Sequence, residues 1–396
     1  AAGGGGAPGA DAAGTAATAA PAAPAAPAAP AAPATPATTA APATPAAPAS
    51  PASRAAAPAP LSTSARAELS SLATWSADAP ALGAVREAAG RGLPAAVAGE
   101  VWQALLGPEV LVDIARYEAA VRAARSFCDA LDFDWAGTVR AGQPRLSDDI
   151  DVVGNDVPRT FPDRQRPRGS EGDGPRDEGG GFDTGELREV LTAKVVAEGA
   201  EAGSSCEGAV GYAQGMADIG AVLLEHMAPP AAWSCLRGLS ARPLLRLLFR
   251  LDPAEWARLG ELHSSLLHAQ LPHVALHLEQ CGLSAAMYLP EWLMPLWSRT
   301  LRPEVYRVVW LLLLTDGDAL LLRAALAVLA CIAPQLLRCS ELPDLRRLLS
   351  VGALEIDLPA FVGALERCSV TEHDLLALRL APPRVGPSTL STPCGA

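Results

Sequence analysis

One lysine, Lys194, serves a chain of 396 residues. It stands in Leu191-Thr192-Ala193-Lys194 with no glycine-rich approach, which excludes a phosphate-cradling loop of the Walker type and nucleotide binding by that route. The missing lysine accompanies an excess of Ala, Gly, Pro and Arg, and a coding bias accounts for most of it. Positive charge is short as well. The formal net charge is -12 and no Lys/Arg run forms a stripe, which argues against nucleic acid and against adhesion to anionic lipid. The eight cysteines lack any CxxC and the dense spacing of a secreted staple fold, so they read as reduced thiols of a cytosolic protein. Long apolar runs are missing too. The longest, 308–314 and 324–333, are bounded by Arg307, Asp316, Arg323 and Pro334, and each is too short to cross a bilayer, so no membrane insertion is expected.

What is present is helical. Half the residues are hydrophobic, enough for one large core or two small ones in one to three domains. Residues 1–64 are mostly Ala, Pro, Gly and Thr, with a Pro-Ala-Ala repeat, and read as a disordered tail that cannot bury a core. From about residue 65 apolar side chains recur at three and four residue spacing, as in Leu69, Leu72 and Trp75, then Val101, Trp102, Leu105 and Leu106, and again through Ile114, Tyr117, Ala120 and Val121. No two-residue alternation is sustained anywhere, so the fold class is all-α. The expected organisation is a helical domain over 65–370, in halves 65–228 and 231–370 that part near Pro229-Pro230, followed by a C-terminal tail over 371–396. The aliphatic stretches 244–251, 305–314 and 320–329 are expected to be buried helices. Residues 163–181 are rich in Arg, Asp, Glu, Gly and Pro and mark a loop. Asp183 with Glu186 then resembles a capping box, and Leu187, Val190, Leu191 and Val195 give the following helix one apolar face.

Two short stretches stand out. In Val153-Gly154-Asn155-Asp156-Val157-Pro158-Arg159-Thr160-Phe161-Pro162 an arginine sits between two prolines, with a carboxylate three residues before it and an aromatic two after. Asp156 is placed to hold the guanidinium in one rotamer, and Pro158 with Phe161-Pro162 to stiffen the loop. In Gly211-Tyr212-Ala213-Gln214-Gly215-Met216 a glutamine lies between an aromatic and a glycine, just ahead of a helix carrying Ile219, Val222 and Leu223; a helix N-terminus is a good place to aim a side chain at a phosphate. Taken singly, Arg159 reads as well as a local ion pair with Asp156, and Gln214 as an ordinary helix-start amide. His273, His277 and Cys281 have helical spacing without a fourth zinc ligand, and read as packed or solvated side chains. The acidic run Asp148, Asp149 and Asp151 reads as a solvated face, and the tryptophans at 102, 292, 297 and 310 as core.

The two stretches match IxxDxxR with Thr-Phe-Pro, Val153 standing for the isoleucine, and YxQGM. With Leu93-Pro94, Val101-Trp102, Trp297-Ser298-Arg299, Val309-Trp310 and Asp316-Gly317-Asp318 in order, the chain over roughly 85–365 resembles the TBC-domain family of Rab GTPase-activating proteins. The resemblance implies an all-α fold of two helical subdomains. It implies that Arg159 is an arginine finger and Gln214 a glutamine finger given in trans to a Rab-type small GTPase, with Tyr212 and Gly215 shaping the second loop and Asp156, Thr160, Phe161 and Pro162 supporting the first. No cofactor of its own is implied, since GTP and Mg2+ would be carried by the GTPase. The setting implied is cytoplasmic vesicle trafficking, with peripheral recruitment to endomembranes through the GTPase. Ala98 and Leu311, where the family often has arginine and aspartate, motivate an alternative: a noncatalytic Rab-binding scaffold with the same fold.

Overall fold

Proline sets where the helices begin. Its fixed φ and missing N–H suit the first turn, whose donors have no intrahelical acceptor, and Pro229, Pro243, Pro253, Pro272 and Pro303 each open a helix. The computed structural model describes residues 80–106, 112–130, 144–166, 181–202 and 210–380. The tail expected at 1–64, the part of the 371–396 tail from 381 onward, Leu69, Leu72 and Trp75, and most of the 163–181 loop lie outside them.

The first group of helices is α1 (Pro80–Arg91), α2 (Ala95–Leu105), α3 (Ile114–Ala130), α4 (Pro144–Asp156), α5 (Thr184–Ala202), α6 (Met216–His226), α7 (Pro229–Ala241) and α8 (Pro243–Phe249). The second is α9 (Pro253–Gln270), α10 (Pro272–Gln280), α11 (Leu289–Leu293), α12 (Pro303–Asp316), α13 (Leu320–Leu336), α14 (Leu342–Ser350), α15 (Leu358–Arg367) and α16 (Glu372–Leu380). The all-α reading holds, with one addition: Gln165–Arg166 and Phe182–Asp183 form a two-residue parallel pair, β1 and β2, at the base of the loop between them. Among the described residues no helix is long and apolar enough to cross a membrane.

Helix α5 is the hub of the first group, with α3, α4, α6 and α7 packed on it. One apolar face was the expectation; instead 190–196 are buried on every side, Lys194 included. A buried ammonium must be paired. Lys194 Nζ donates to Glu198 Oε2 at 3.0 Å and to the Val210 carbonyl at 3.1 Å, and burial holds its pKa below the ordinary lysine value against the pull of Glu198. Asp183 caps the helix as read, accepting from Gly185 N at 2.6 Å and Glu186 N at 3.0 Å.

Helix α13 is the hub of the second group, covered by α11, α12, α14 and α15. Helix α2 lies against both α6 and α12, and there Trp102 meets His226 edge-on at 5.2 Å and Trp310 at 4.8 Å. All four tryptophans read as core are fully buried. Ala98 and Leu311 are buried as well, so these departures from the family pattern fall on packing. Two expectations need correcting. The helix expected over 244–251 ends at Phe249, leaving Leu251 left-handed (φ 56°) and half-exposed, because Asp252 caps the next helix through Ala254 N. Residues 372–380, read as tail, form α16 on α9, and Glu372 accepts from Ala319 N at 2.9 Å.

His263 on α9 is fully buried, its Nε2 2.8 Å from the Tyr288 hydroxyl. Burial lowers its pKa from 6.5 to about 4. Between these values the unfolded chain binds a proton that the native state refuses, so stability rises with pH across the window and is lost as pH falls through it. The loss approaches about 3 kcal/mol near pH 4. Urea unfolding between pH 7 and 4.5 should show a steeper decline for the wild type than for His263→Gln; parallel declines would refute this assignment.

Candidate functional site

Helix α4 ends in a 3-10 turn, Val157–Arg159, that turns the chain while Asp156 stays inside. Val157 anchors the turn in the core and Pro158 occupies its first residues. Arg159 then points outward with its side chain 60 % exposed, tethered to Asp156 Oδ1 through Nε at 3.0 Å and through Nη2. The plain and the functional readings of this arginine are therefore both met: it is a local ion pair, and its tip is presented. The other carboxylate oxygen, Asp156 Oδ2, accepts from the Tyr212 hydroxyl at 2.7 Å. Burial and that carboxylate raise the Tyr212 pKa far above its usual value, so the phenol remains a donor.

The loop after Arg159 is held tightly. Thr160 Oγ1 donates to the Asp156 carbonyl at 2.9 Å, and the Gln165 amide donates to the carbonyls of Pro158 at 2.9 Å and Thr160 at 3.1 Å. Phe161 is left-handed (φ 38°), and Pro162 opens a second 3-10 turn ending at Arg164. Arg164 lies 4.3 Å over the Phe161 ring and donates to Glu225 Oε1 at 2.7 Å and the Tyr306 hydroxyl at 3.1 Å.

The glutamine loop approaches from the other side. Lys194 fixes its start at the Val210 carbonyl, and Asp149 Oδ2 accepts from Tyr212 N at 3.1 Å. Asp149 is thus turned inward, which corrects its reading as part of a solvated acidic face. Gly215 is left-handed (φ 100°) and directly precedes α6, and Gln214 before it is exposed.

Arg159 and Gln214 line one cleft of about 530 Å³. Asp156, Thr160 and Gly215 line it with them, whereas Tyr212, Phe161 and Pro162 are not among its lining residues, and Tyr212 reaches it only through its hydrogen bond to Asp156. Among the cleft residues that the sequence reading of the site did not name are Asp218 on α6 and Arg299 beyond α11. The Arg299 Nε donates to Asp218 Oδ2 at 2.8 Å. Burial raises the Asp218 pKa while Arg299 opposes the rise, and the bond to Asp218 raises that of Arg299. The rest of the wall mixes apolar Ala217, Leu251, Pro290, Met294 and Pro295 with polar Glu291, Thr300 and Ser350.

Among the described residues four non-glycines are left-handed: Phe161, Leu251, Leu296 and Trp297. Leu251 lines the cleft, Phe161 sits next to Thr160, and Leu296-Trp297 lie between the lining residues Pro295 and Arg299. Such backbone costs of order 1–3 kcal/mol per residue, and it gathers where geometry serves function. Here the surroundings enforce it: Trp297 N donates to the Trp292 carbonyl at 2.8 Å and Trp310 Nε1 to the Leu296 carbonyl at 2.7 Å.

Among the described residues no cluster of His, Cys, Asp and Glu could hold a metal. His277 Nε2 lies 2.7 Å from the Cys339 carbonyl and 3.8 Å from Cys281 Sγ.

Residues 200–337 match the family model described as the Rab-GTPase-TBC domain. Over that stretch the chain is similar to the TBC-domain family. TBC1 domain family member 12 of Rattus norvegicus is 26% identical over 250 residues, 62% of this chain and 33% of that protein. Carabin of Mus musculus is 34% identical over 127 residues, 30% of this chain and 27% of that protein. The matches therefore span about a third or less of these relatives' own length. Among solved structures, the Chlamydomonas flagellar RabGAP TBC domain aligns over 74% of this chain and 85% of its own, with a TM-score of 0.51 and 20% identity. That likeness concerns the TBC fold. The family-model match contains Gln214, Asp218 and Arg299 but starts after Arg159, so it is the geometry of the cleft that joins the arginine to the glutamine.

Proposed function

We propose that this chain is a GTPase-activating protein for a Rab-type small GTPase, completing the partner's active site with Arg159 and Gln214. The observation that carries the reading is that the two exposed tips share one cleft, each on a loop fixed from behind by buried partners. Slow GTPases lack a cation for the charge growing on the phosphoryl oxygens and a fixed group to orient the attacking water. Arg159 supplies the first, with a guanidinium suited to phosphate oxygens, and Gln214 the second. The chain does no chemistry alone. GTP and Mg2+ arrive on the GTPase, which also supplies the route to an endomembrane from the cytoplasm and so to vesicle trafficking.

The test is GTP hydrolysis by a panel of purified Rab-type GTPases with and without the chain. Acceleration of at least one member by about 10³-fold or more is expected. Binding without acceleration would favour the noncatalytic scaffold and sink the proposed activity.

A further inference from the structure

The cleft holds a second presented arginine. Asp156 with Arg159, and Asp218 with Arg299, are built alike: each aspartate side chain is 5% exposed, while the arginines are 60% and 50% exposed. In each pair the carboxylate engages the guanidinium at Nε. Arg159 also gives Nη2 to its aspartate, whereas Arg299 gives only Nε and keeps both terminal nitrogens without a hydrogen-bond partner among the described residues, an arrangement suited to grasping an oxyanion.

Arg299 makes no further hydrogen bond among the described residues, and its guanidinium carbon stands 5.6 Å from the Phe161 ring. Phe161 thus stands against Arg299 on one loop while belonging to the segment that carries Arg159. Asp218 Oδ1 is buried without a hydrogen-bond partner among the described residues, so its charge rests mainly on Arg299. A scaffold ion pair would be expected to satisfy both ends internally. This pair satisfies the carboxylate on one side and leaves guanidinium donors facing the cleft.

We propose that Arg299 is a partner-binding residue that takes an oxyanion of the GTPase complex, either a nucleotide phosphate or a carboxylate of the GTPase polypeptide. This rests on the Rab-type reading for the identity of the partner but not on acceleration. Its contribution is affinity rather than the chemical step, which Arg159 and Gln214 serve. Two left-handed residues, Leu296 and Trp297, stand between the lining residues Pro295 and Arg299.

The experiment measures binding of the full chain to the GTPase panel loaded with a nonhydrolysable GTP analogue or with GDP. Arg299→Ala should weaken binding by about tenfold or more, but it also strands the buried Asp218 charge, so some melting temperature will be lost. The double variant Arg299→Ala/Asp218→Asn removes that charge and should recover stability while binding stays weak. Arg299→Lys should recover only part of the affinity. A loss confined to the GTP analogue identifies the terminal phosphate as the oxyanion; a loss with both nucleotides identifies an oxyanion common to the two states, an inner phosphate or a carboxylate of the polypeptide. Wild-type affinity in the double variant, or no loss in the single one, overturns the proposal, as does a wild-type chain that binds no member. If the wild type binds without accelerating hydrolysis and the double variant still loses affinity, Arg299 stands and the proposed activity falls.

Discussion

Arg159→Lys should lower stimulated GTP hydrolysis by about 10³-fold while leaving the fold in place. That factor is about 4 kcal/mol of transition-state stabilisation, and its origin is geometric. Asp156 Oδ1 takes the Nε and Nη2 donors, Nε at 3.0 Å, which fixes the guanidinium plane and directs the remaining terminal donors into the cleft. Lysine keeps the charge but offers one compact ammonium on a freely rotating stem, so it can neither share its donors between Asp156 and a phosphate nor hold the plane. Stability should barely respond. The arginine side chain is 60% exposed, pairs of that exposure contribute about 0–1 kcal/mol, and Tyr212 continues to satisfy Asp156 through the other oxygen. Single-turnover hydrolysis with a saturating excess of chain separates rate from affinity. A lysine variant within tenfold of the wild type would show that the guanidinium fork is not what accelerates hydrolysis.

The sequence exposed this half of the site because its parts are neighbours. A carboxylate three residues before an arginine, at the end of a helix and beside a proline, constrains its own geometry whatever the rest of the fold does. The same holds for Gln214 and Gly215 ahead of α6. Other supports depend on contacts across long separations, with no local pattern to betray them. Asp218 is one polar residue in an apolar helix until Arg299 arrives from 81 residues downstream, and Asp149 looks like surface until Tyr212 N reaches it from 63 residues away. Lys194 was informative at first for the nucleotide-binding loop it does not form. Its burial follows only once α5 is packed on by four other helices. The helical class was legible throughout because a 3.6-residue period persists over many turns, whereas the two-residue strands β1 and β2 are shorter than any period.

Gly215→Ala should be the most damaging single methyl group in the site. Gly215 has φ 100° and ψ -25°, a conformation costly for any residue with a Cβ. A Cβ there would also stand 2.7 Å from the Met294 carbonyl carbon, 2.8 Å from its oxygen and 3.0 Å from its Cβ. Two of these atoms are backbone in the segment that leads into the left-handed Leu296-Trp297 turn, which is pinned by Trp292 and Trp310 and cannot yield as a flexible side chain would. Strain and overlap together should cost about 2–4 kcal/mol in urea unfolding. Relief requires the glutamine loop to withdraw from Met294, carrying Gln214 away from Arg159, so stimulated hydrolysis should fall further than the loss of folded protein explains. Gly154→Ala is the matched control. It lies in helix α4 just before the arginine turn, nothing stands within 4 Å of its added Cβ, and its φ is not left-handed. There the methyl should stabilise the helix by about 0.5–1 kcal/mol and leave hydrolysis unchanged. If both alanines behave alike, the close approach of the glutamine loop to Met294 is not what sets the spacing of the cleft.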